Sequence, residues 1–289
     1  MMLLNASGCL DALTAPEVAR TLDAFVTKTV TPEPREGNPP VRIAETDSGM
    51  LNAIGLANPG RERFLAETLP ELAAALELPV WVSVGGFSAQ DYAGTCERLD
   101  PARVAAVELN LSCPNVDEAP ESAGEIVAAC RAATTLPLWA KLSPAAWDIG
   151  EVARAVEASG ADGLSLVNTM RGLALGRDLR PILARGVGGY SGPALRPIAL
   201  AAVWACRRAT ELPIVGMGGV RTGLDALELI AVGATHVALG TVLFGDPDAP
   251  SRVRSELARA ASDYGLDNAD DAFSAAHEGV FIAGNQGKR

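Results

Sequence analysis

Val104-Ala-Ala-Val-Glu-Leu-Asn-Leu-Ser-Cys-Pro-Asn115 is the stretch on which the fold turns. Its apolar opening reads as a buried strand. Asn110, Cys113 and Asn115 then fall where that strand gives way to a loop. An Asn side chain both donates and accepts hydrogen bonds, and a thiol is a usable acid or base once its pKa is tuned. Two carboxamides around a thiol can therefore hold a planar, multiply hydrogen-bonding molecule and move one proton. Taken alone, the same residues would also suit a strand end carrying a structural cysteine.

Working outward, seven further apolar runs occupy residues 25–29, 49–55, 79–85, 136–143, 161–169, 212–219 and 235–241. Helical patterns separate them. Ser88 precedes Asp91 by three, Asp148 precedes Glu151 by three and Thr222 precedes Asp225 by three, the spacing of helix-start capping pairs. Leu195, Ile198, Ala199, Ala202 and Val203 recur at helical spacing. Eight buried-type strands alternating with helices predict a closed parallel (β/α)8 TIM barrel, one domain spanning residues 1–289. An open doubly wound sheet is the alternative, weakened because no Gly-x-Gly-x-x-Gly turn follows an early strand. The Pro-rich residues 31–42 come directly after a strand and read as an ordered loop over the barrel mouth.

Composition narrows the partners. The 289 residues are 48% hydrophobic, 20% charged and 4% aromatic, with a net charge of −11. That balance argues against nucleic acid, whose phosphates need concentrated positive charge. No run approaches the roughly 20 apolar residues that span a bilayer, and the first residues lack a secretory pattern. The five cysteines, at 9, 96, 113, 130 and 206, are scattered with no Cys-x-x-Cys pair. Cys96, Cys130 and Cys206 sit on apolar helical faces as core residues, and a reducing cytoplasm fits. With only His236 and His277 present, a His-based triad or metal site is not expected.

In a (β/α)8 barrel chemistry sits at the C-terminal strand ends. Lys28, Asn52, Asn110, Lys141 and Asn168-Thr169 each place polar groups at such an end. One alone is an ordinary solvated strand end; five agreeing on the same end form a cup. The last two strands finish instead with Gly216-Met-Gly-Gly219 and Leu239-Gly-Thr241. Glycines there let backbone N–H groups approach an anion, and the loops after strands seven and eight are the usual phosphate site of this barrel. Gly188-Gly-Tyr-Ser-Gly-Pro193 reads as a further flexible turn, with Pro193 suited to the first position of the next helix.

These residues, in order, resemble the class 1 dihydroorotate dehydrogenases, flavin enzymes of pyrimidine synthesis. The likeness runs nearly end to end. It is carried by Asn5-Ala-Ser-Gly8, Lys28-Thr-Val-Thr-Pro-Glu-Pro-Arg-Glu-Gly-Asn-Pro-Pro40, Gly49-Met-Leu-Asn-Ala-Ile-Gly-Leu56 and Asn110-Leu-Ser-Cys-Pro-Asn115. Lys141-Leu-Ser-Pro144, Gly163-Leu-Ser-Leu-Val-Asn-Thr169, Ser191-Gly-Pro-Ala194, Gly216-Met-Gly-Gly219 and Gly240-Thr241 continue it. The Thr-Pro-Glu-Pro and Asn-Pro-Pro wording is closer to subclass 1B than to the fumarate-using 1A.

The resemblance implies an FMN-binding barrel that oxidises (S)-dihydroorotate to orotate. By that likeness Cys113 is the base taking the C5 proton while hydride passes from C6 to flavin N5. Lys28, Asn52, Ala53, Ile54, Gly55, Leu56, Asn110, Asn115, Asn168 and Thr169 would surround the substrate. Ala6, Ser7, Lys28, Thr29, Ser83, Asn110, Lys141, Val167, Gly192, Gly218, Gly219, Gly240 and Thr241 would contact FMN, the last four around its phosphate. A homodimeric core is implied, and in the 1B subclass a heterotetramer with a subunit carrying FAD and a [2Fe–2S] cluster that reduces NAD+. A Ser at position 113 would mark the membrane-bound, quinone-using class 2.

Two departures stand out. Val116-Asp-Glu-Ala-Pro-Glu-Ser122 is shorter than the family's Gly-rich active-site loop, and Ser83 stands where relatives often have Asn. The rival readings are a flavin enzyme of another dihydropyrimidine, and a flavin-binding paralogue with weakened turnover.

Overall fold

Strands covered on both faces read as unbroken apolar runs, because neither side meets water. That is how Ala106–Asn110 behaves in the computed structural model, which describes residues 1–111 and 120–278: all five residues are buried. The strands of the described residues are β1 (Leu3–Asn5), β2 (Phe25–Val26), β3 (Ile43–Thr46), β4 (Gly49–Asn52), β5 (Val80–Val84) and β6 (Ala106–Asn110). They continue with β7 (Leu138–Lys141), β8 (Gly163–Leu166), β9 (Met170–Gly172), β10 (Gly188–Ser191), β11 (Ile214–Met217) and β12 (His236–Leu239). Eight of them form one parallel sheet in the order β1-β12-β11-β8-β7-β6-β5-β2. A parallel bridge from Leu4 to Ala24 joins the two ends, so the sheet closes into the expected (β/α)8 barrel.

The seam between β1 and β2 is too short for a ladder, and one side chain completes it. Asn5 donates from Nδ2 to the Val26 carbonyl and accepts the Val26 N–H at Oδ1, both at 2.8 Å. Leu4, Ala24, Val26, Trp81, Ala106, Trp139, Val215, Met217 and Ala238 fill the barrel interior. The opposite faces of the strands join the larger core shared with the surrounding helices. Trp81 and Trp139 pack with ring centroids 4.7 Å apart, and His236 lies 5.8 Å from Trp139, so aromatic rings form the barrel floor.

One of the eight strands differs from expectation. The run 49–55 does not join the barrel; its first part is β4, half-exposed, in an antiparallel sheet ordered β3-β4-β10-β9. The eighth barrel stave is β1, whose three residues are fewer than the four to eight that mark a strand in a sequence. Gly188–Ser191 is likewise a strand of that second sheet, not a turn, and Pro193 opens a 3₁₀ turn ahead of the helix Arg196–Arg207. The sheet alternates as strands must. One face packs Ala44, Leu51 and Leu183 into a small core of its own. The other, with Ile43, Met50, Asn52, Arg171, Gly189 and Ser191, roofs the barrel mouth.

The capping pairs form as expected. Ser88, Asp148 and Thr222 each accept the backbone N–H three residues on. Cys96, Cys130 and Cys206 are buried. The loop 31–42 lies across the mouth, tied by backbone bonds from Arg35 to Asn58 and from Asn38 to Ile54.

Candidate active site at the barrel mouth

Between the strand ends and the roof lies a cavity of about 1420 Å³. A pocket for one small ligand is roughly 300–1,000 Å³, so this one accommodates two molecules side by side. Its deepest cation, Lys141, and the carboxylate behind it, Glu108, are placed by strand alternation. Glu108 and Lys141 lie two residues beyond the interior Ala106 and Trp139, and so point inward above the aromatic floor. Both are buried, and Lys141 Nζ lies 3.3 Å from Glu108 Oε1. A lone charge there would be heavily penalised, and the pair satisfies both members.

A hydrogen-bonded chain crosses four strand ends beside this pair. Ser83 Oγ and Thr29 Oγ1 are 3.0 Å apart, Asn110 Nδ2 donates to Thr29 Oγ1 at 3.3 Å, and Asn168 Nδ2 donates to Asn110 Oδ1 at 3.2 Å. Thr169 N–H in turn donates to Asn168 Oδ1 at 2.8 Å. Beneath them the Tyr92 hydroxyl donates to the Asn110 carbonyl. Each carboxamide is thereby held in one orientation, which a site that reads a planar ligand by hydrogen bonds requires.

Lys28 lines the cavity and is half-buried; burial depresses its pKa, Cys9 opposes that shift, and Lys141 adds to it. Asn52 reaches the cavity from the roof, its Nδ2 donating to the Gly189 carbonyl at 3.3 Å. The turn Ala53, Ile54, Gly55, Leu56 lines the same side, held by Asn38 Nδ2 on the Ala53 carbonyl and Arg35 Nε on the Gly55 carbonyl.

Across the mouth the wall changes character. Ala6, Ser7, Val167, Gly192, Gly218, Gly219, Gly240 and Thr241 all line it. Gly219 adopts φ +76°, and a Cβ there would lie 2.8 Å from Arg196 Cβ, so backbone comes close to the 193–195 turn only because no side chain intervenes. Gly240 is different: an added methyl would meet nothing nearer than 3.5 Å. A Cβ there would make only ordinary contacts, with Ala6 Cβ at 3.5 Å and the Cys9 sulfur at 3.7 Å, so packing does not demand a glycine at this point of the cavity wall. Thr241 Oγ1 donates to Ser191 Oγ at 2.8 Å, fastening this wall to the roof.

The structure thus brings Lys28, Asn52, Asn110, Lys141, Asn168 and Thr169 into one cavity with the glycine turns. Ser83 stands behind Thr29, fully buried and hydrogen-bonded to it. Cys113 and Asn115 lie outside the described residues. Several wall residues went unassigned by sequence reasoning, among them Cys9, Arg171, Arg185 and Arg221, as did Glu108, which stands behind Lys141 and does not itself line the cavity. Burial pushes the Cys9 thiol pKa up, so it stays protonated. The arginines had a readable sign: residues 171–187 hold four arginines and one aspartate in an acidic chain.

Comparison with known proteins agrees with this architecture. The dihydroorotate dehydrogenase family model matches residues 2–260. The catalytic subunit of dihydroorotate dehydrogenase B (NAD(+)) from Listeria monocytogenes serotype 4a (strain HCC23) is 44% identical over 278 residues, covering 91% of this chain and 90% of that protein. The subunit of the same description from Latilactobacillus sakei subsp. sakei (strain 23K) is 45% identical over 279 residues, with the same coverage of 91% and 90%. In fold, the chain is similar to DHODH from Eimeria tenella in complex with ferulenol, with a TM-score of 0.81 at 23% identity, covering 96% of this chain and 85% of that one. From the family match along most of its length and the relatives that cover nine-tenths of it, the chain belongs to the dihydroorotate dehydrogenase family.

Proposed function

We propose that this chain oxidises (S)-dihydroorotate to orotate with FMN as its resident flavin, as the catalytic subunit of a class 1B enzyme whose electrons go to NAD+. The observation that carries the reading is the meeting, in one cavity sized for two molecules, of an ammonium-and-carboxamide wall with a wall of glycine backbone. The donor set suits FMN. Gly218, Gly219, Gly240 and Thr241 offer backbone to its phosphate beside the turn at Gly192, and no side chain stands between the Gly240 backbone and the cavity. Lys141, with Ala6, Ser7, Thr29 and Val167, faces the ring system and supplies a fixed positive charge. When bound, FMN supplies the acceptor for the hydride that leaves substrate C6.

The chain's own residues do the rest. Lys28 pairs with the substrate carboxylate, a role its half-buried ammonium performs with little competition from water. Asn52, Asn110, Asn168 and Thr169 hold the ring amides, with Ala53 to Leu56 closing over the edge and Asn115 as a further carboxamide. Cys113 removes the proton from C5, leaving the C5–C6 double bond of orotate. Relatives named as a catalytic subunit support a separate partner for NAD+ reduction, which we assign to a subunit carrying FAD and a [2Fe–2S] cluster around a homodimeric core. Among the described residues no helix is long and apolar enough to cross a membrane, and a cytoplasmic location is part of the proposal.

The test is spectroscopic. Purified protein is expected to be yellow, and anaerobic dihydroorotate should bleach its absorbance near 450 nm or so without reducing NAD+ until the partner is added. Flavin that persists in dihydroorotate would overturn the substrate assignment. Direct NAD+ reduction by this chain alone would overturn the partner assignment. Cys113→Ser should slow bleaching by about 10²- to 10⁴-fold with FMN still bound, as removal of a general base does.

A further inference from the structure

The cavity has the wrong sign for its protein. Seven charged residues line it among those described: Lys28, Arg35, Lys141, Arg171, Arg185 and Arg221 are basic, and Asp246 alone is acidic. Asp246 is already paired with Arg252 at 2.6 Å and Lys141 with Glu108 behind it at 3.3 Å, so the uncompensated charge is that of Lys28 and the arginines. The whole chain carries 35 acidic residues against 24 basic ones. The cations are also graded in depth. Lys141 is buried and Lys28 half-buried, while Arg35, Arg171 and Arg185 are exposed at the entrance.

Their positions are fixed by the fold. Arg171 stands opposite Gly189, which in turn stands opposite Asn52, so all three share the roof face that looks into the cavity. Arg185 lies just before β10, in a segment tied down by the Ala184 N–H to the Val41 carbonyl. Arg35 is held by Nε on the Gly55 carbonyl at 3.2 Å and by Phe87, whose ring centroid is 5.0 Å from the guanidinium carbon. Neither contact neutralises it. Among the described residues no carboxylate forms an ion pair with Arg35, Arg171 or Arg185.

We propose that the outer part of the cavity is an electropositive vestibule in which Arg171 and Arg185, backed by Arg35, capture the anionic substrate and pass it inward to Lys28. The inference rests on the substrate assigned above, a carboxylate. An anion approaching a protein of net charge −11 is repelled at long range, but salt screens that repulsion beyond about 8–10 Å. Within that distance only local charges act, and here they are unpaired guanidiniums over low-dielectric walls that focus their field. Exposed rim charges accelerate encounter and leave dissociation to the buried contacts. Arg171 and Arg185 are therefore capture residues, distinct from the groups that hold the bound ring.

Stopped-flow binding of orotate to the FMN-loaded protein, followed by flavin absorbance, tests this. The wild-type association rate constant should fall about tenfold between about 0.02 and 0.5 M ionic strength. The double variant R171Q/R185Q should lose roughly fivefold or more at low salt, with a nearly flat salt dependence. Its dissociation rate constant should match wild type. R171K/R185K, which keeps the charge and changes the shape, should retain both the rate and its salt dependence. A wild-type rate indifferent to salt, or a double variant whose loss lies in dissociation, would sink the vestibule while leaving the proposed reaction standing. Wild-type protein that binds no orotate at any salt removes both.

Discussion

At the scale of single residues, the Glu108–Lys141 pair explains why the barrel tolerates a cation so deep inside it. Removing one partner leaves the other buried and uncompensated, so Glu108→Ala is expected to cost about 3–5 kcal/mol in urea unfolding. Lys141→Ala strands Glu108 in the same way and should carry a similar stability cost, and in the protein that folds anaerobic reduction by dihydroorotate should be slower by about 10²- to 10³-fold, the usual loss of one preorganised electrostatic contact. Lys28 predicts a pH effect. Burial lowers its pKa, so between that value and the unfolded one the unfolded chain binds the extra proton, and the ligand-free protein gains stability as pH rises through that window. A bound carboxylate reverses the shift. Orotate binding should thus take up protons on the alkaline side and weaken as pH passes above the Lys28 pKa. Calorimetry in two buffers of different ionisation heat would show it, and proton release would refute it. Lys28, Asn110, Lys141 and Asn168 were legible in the sequence because each interrupts an apolar run at its end. Glu108 was overlooked because it sits inside its run, where only the structure shows that its side chain meets Lys141.

At the scale of elements, β1 is the least conspicuous strand and the one that closes the barrel. Asn5→Ala would strip partners from both backbone groups of Val26, each costing about 1–3 kcal/mol when buried unsatisfied. A loss of about 2–4 kcal/mol in denaturant stability is expected, and a change under 1 kcal/mol would show that the Leu4–Ala24 bridge suffices. The turn after β11 gives a complementary test. At Gly219 the backbone lies in the left-handed region and a methyl would collide with Arg196, so Gly219→Ala should cost about 1–3 kcal/mol and loosen FMN, read as a higher Kd in flavin fluorescence titration. Seven of the eight expected barrel runs contain barrel strands of the kind periodicity detects, and the last two end in glycines. The roof was not legible. Its central pairing joins Met50 to Ser191, residues more than a hundred apart in the chain, and its half-exposed strands look locally like a barrel stave and a flexible turn.

At the scale of the whole molecule, composition announced a large aliphatic core, and alternation of strands with helices announced the barrel. Neither could reveal how charge is distributed, since net charge sums over the surface and says nothing of a cavity lined by the opposite sign. Cofactor loading belongs to this scale too, because the walls that would hold FMN come from both ends of the sequence, Ala6 and Ser7 on one side and Gly240 and Thr241 on the other. Flavin at a hundredfold excess over its Kd adds about 2.7 kcal/mol to the folded state. For a chain of this size that corresponds to roughly 5–11 °C in Tm, at about 2–4 °C per kcal/mol. Stripping the flavin should return that difference in a thermal scan, and an unchanged midpoint would count against the shared walls.

The tilted, closely packed rings of Trp81, Trp139 and His236 have an effect above them as well as around them. A slab of indole cannot reorient its dipoles as water would, so it acts as insulation beneath the ammonium and carboxylate. Lines of force that a wet interior would have absorbed from below emerge instead through the open end, and the barrel works as a shielded electrode facing one way.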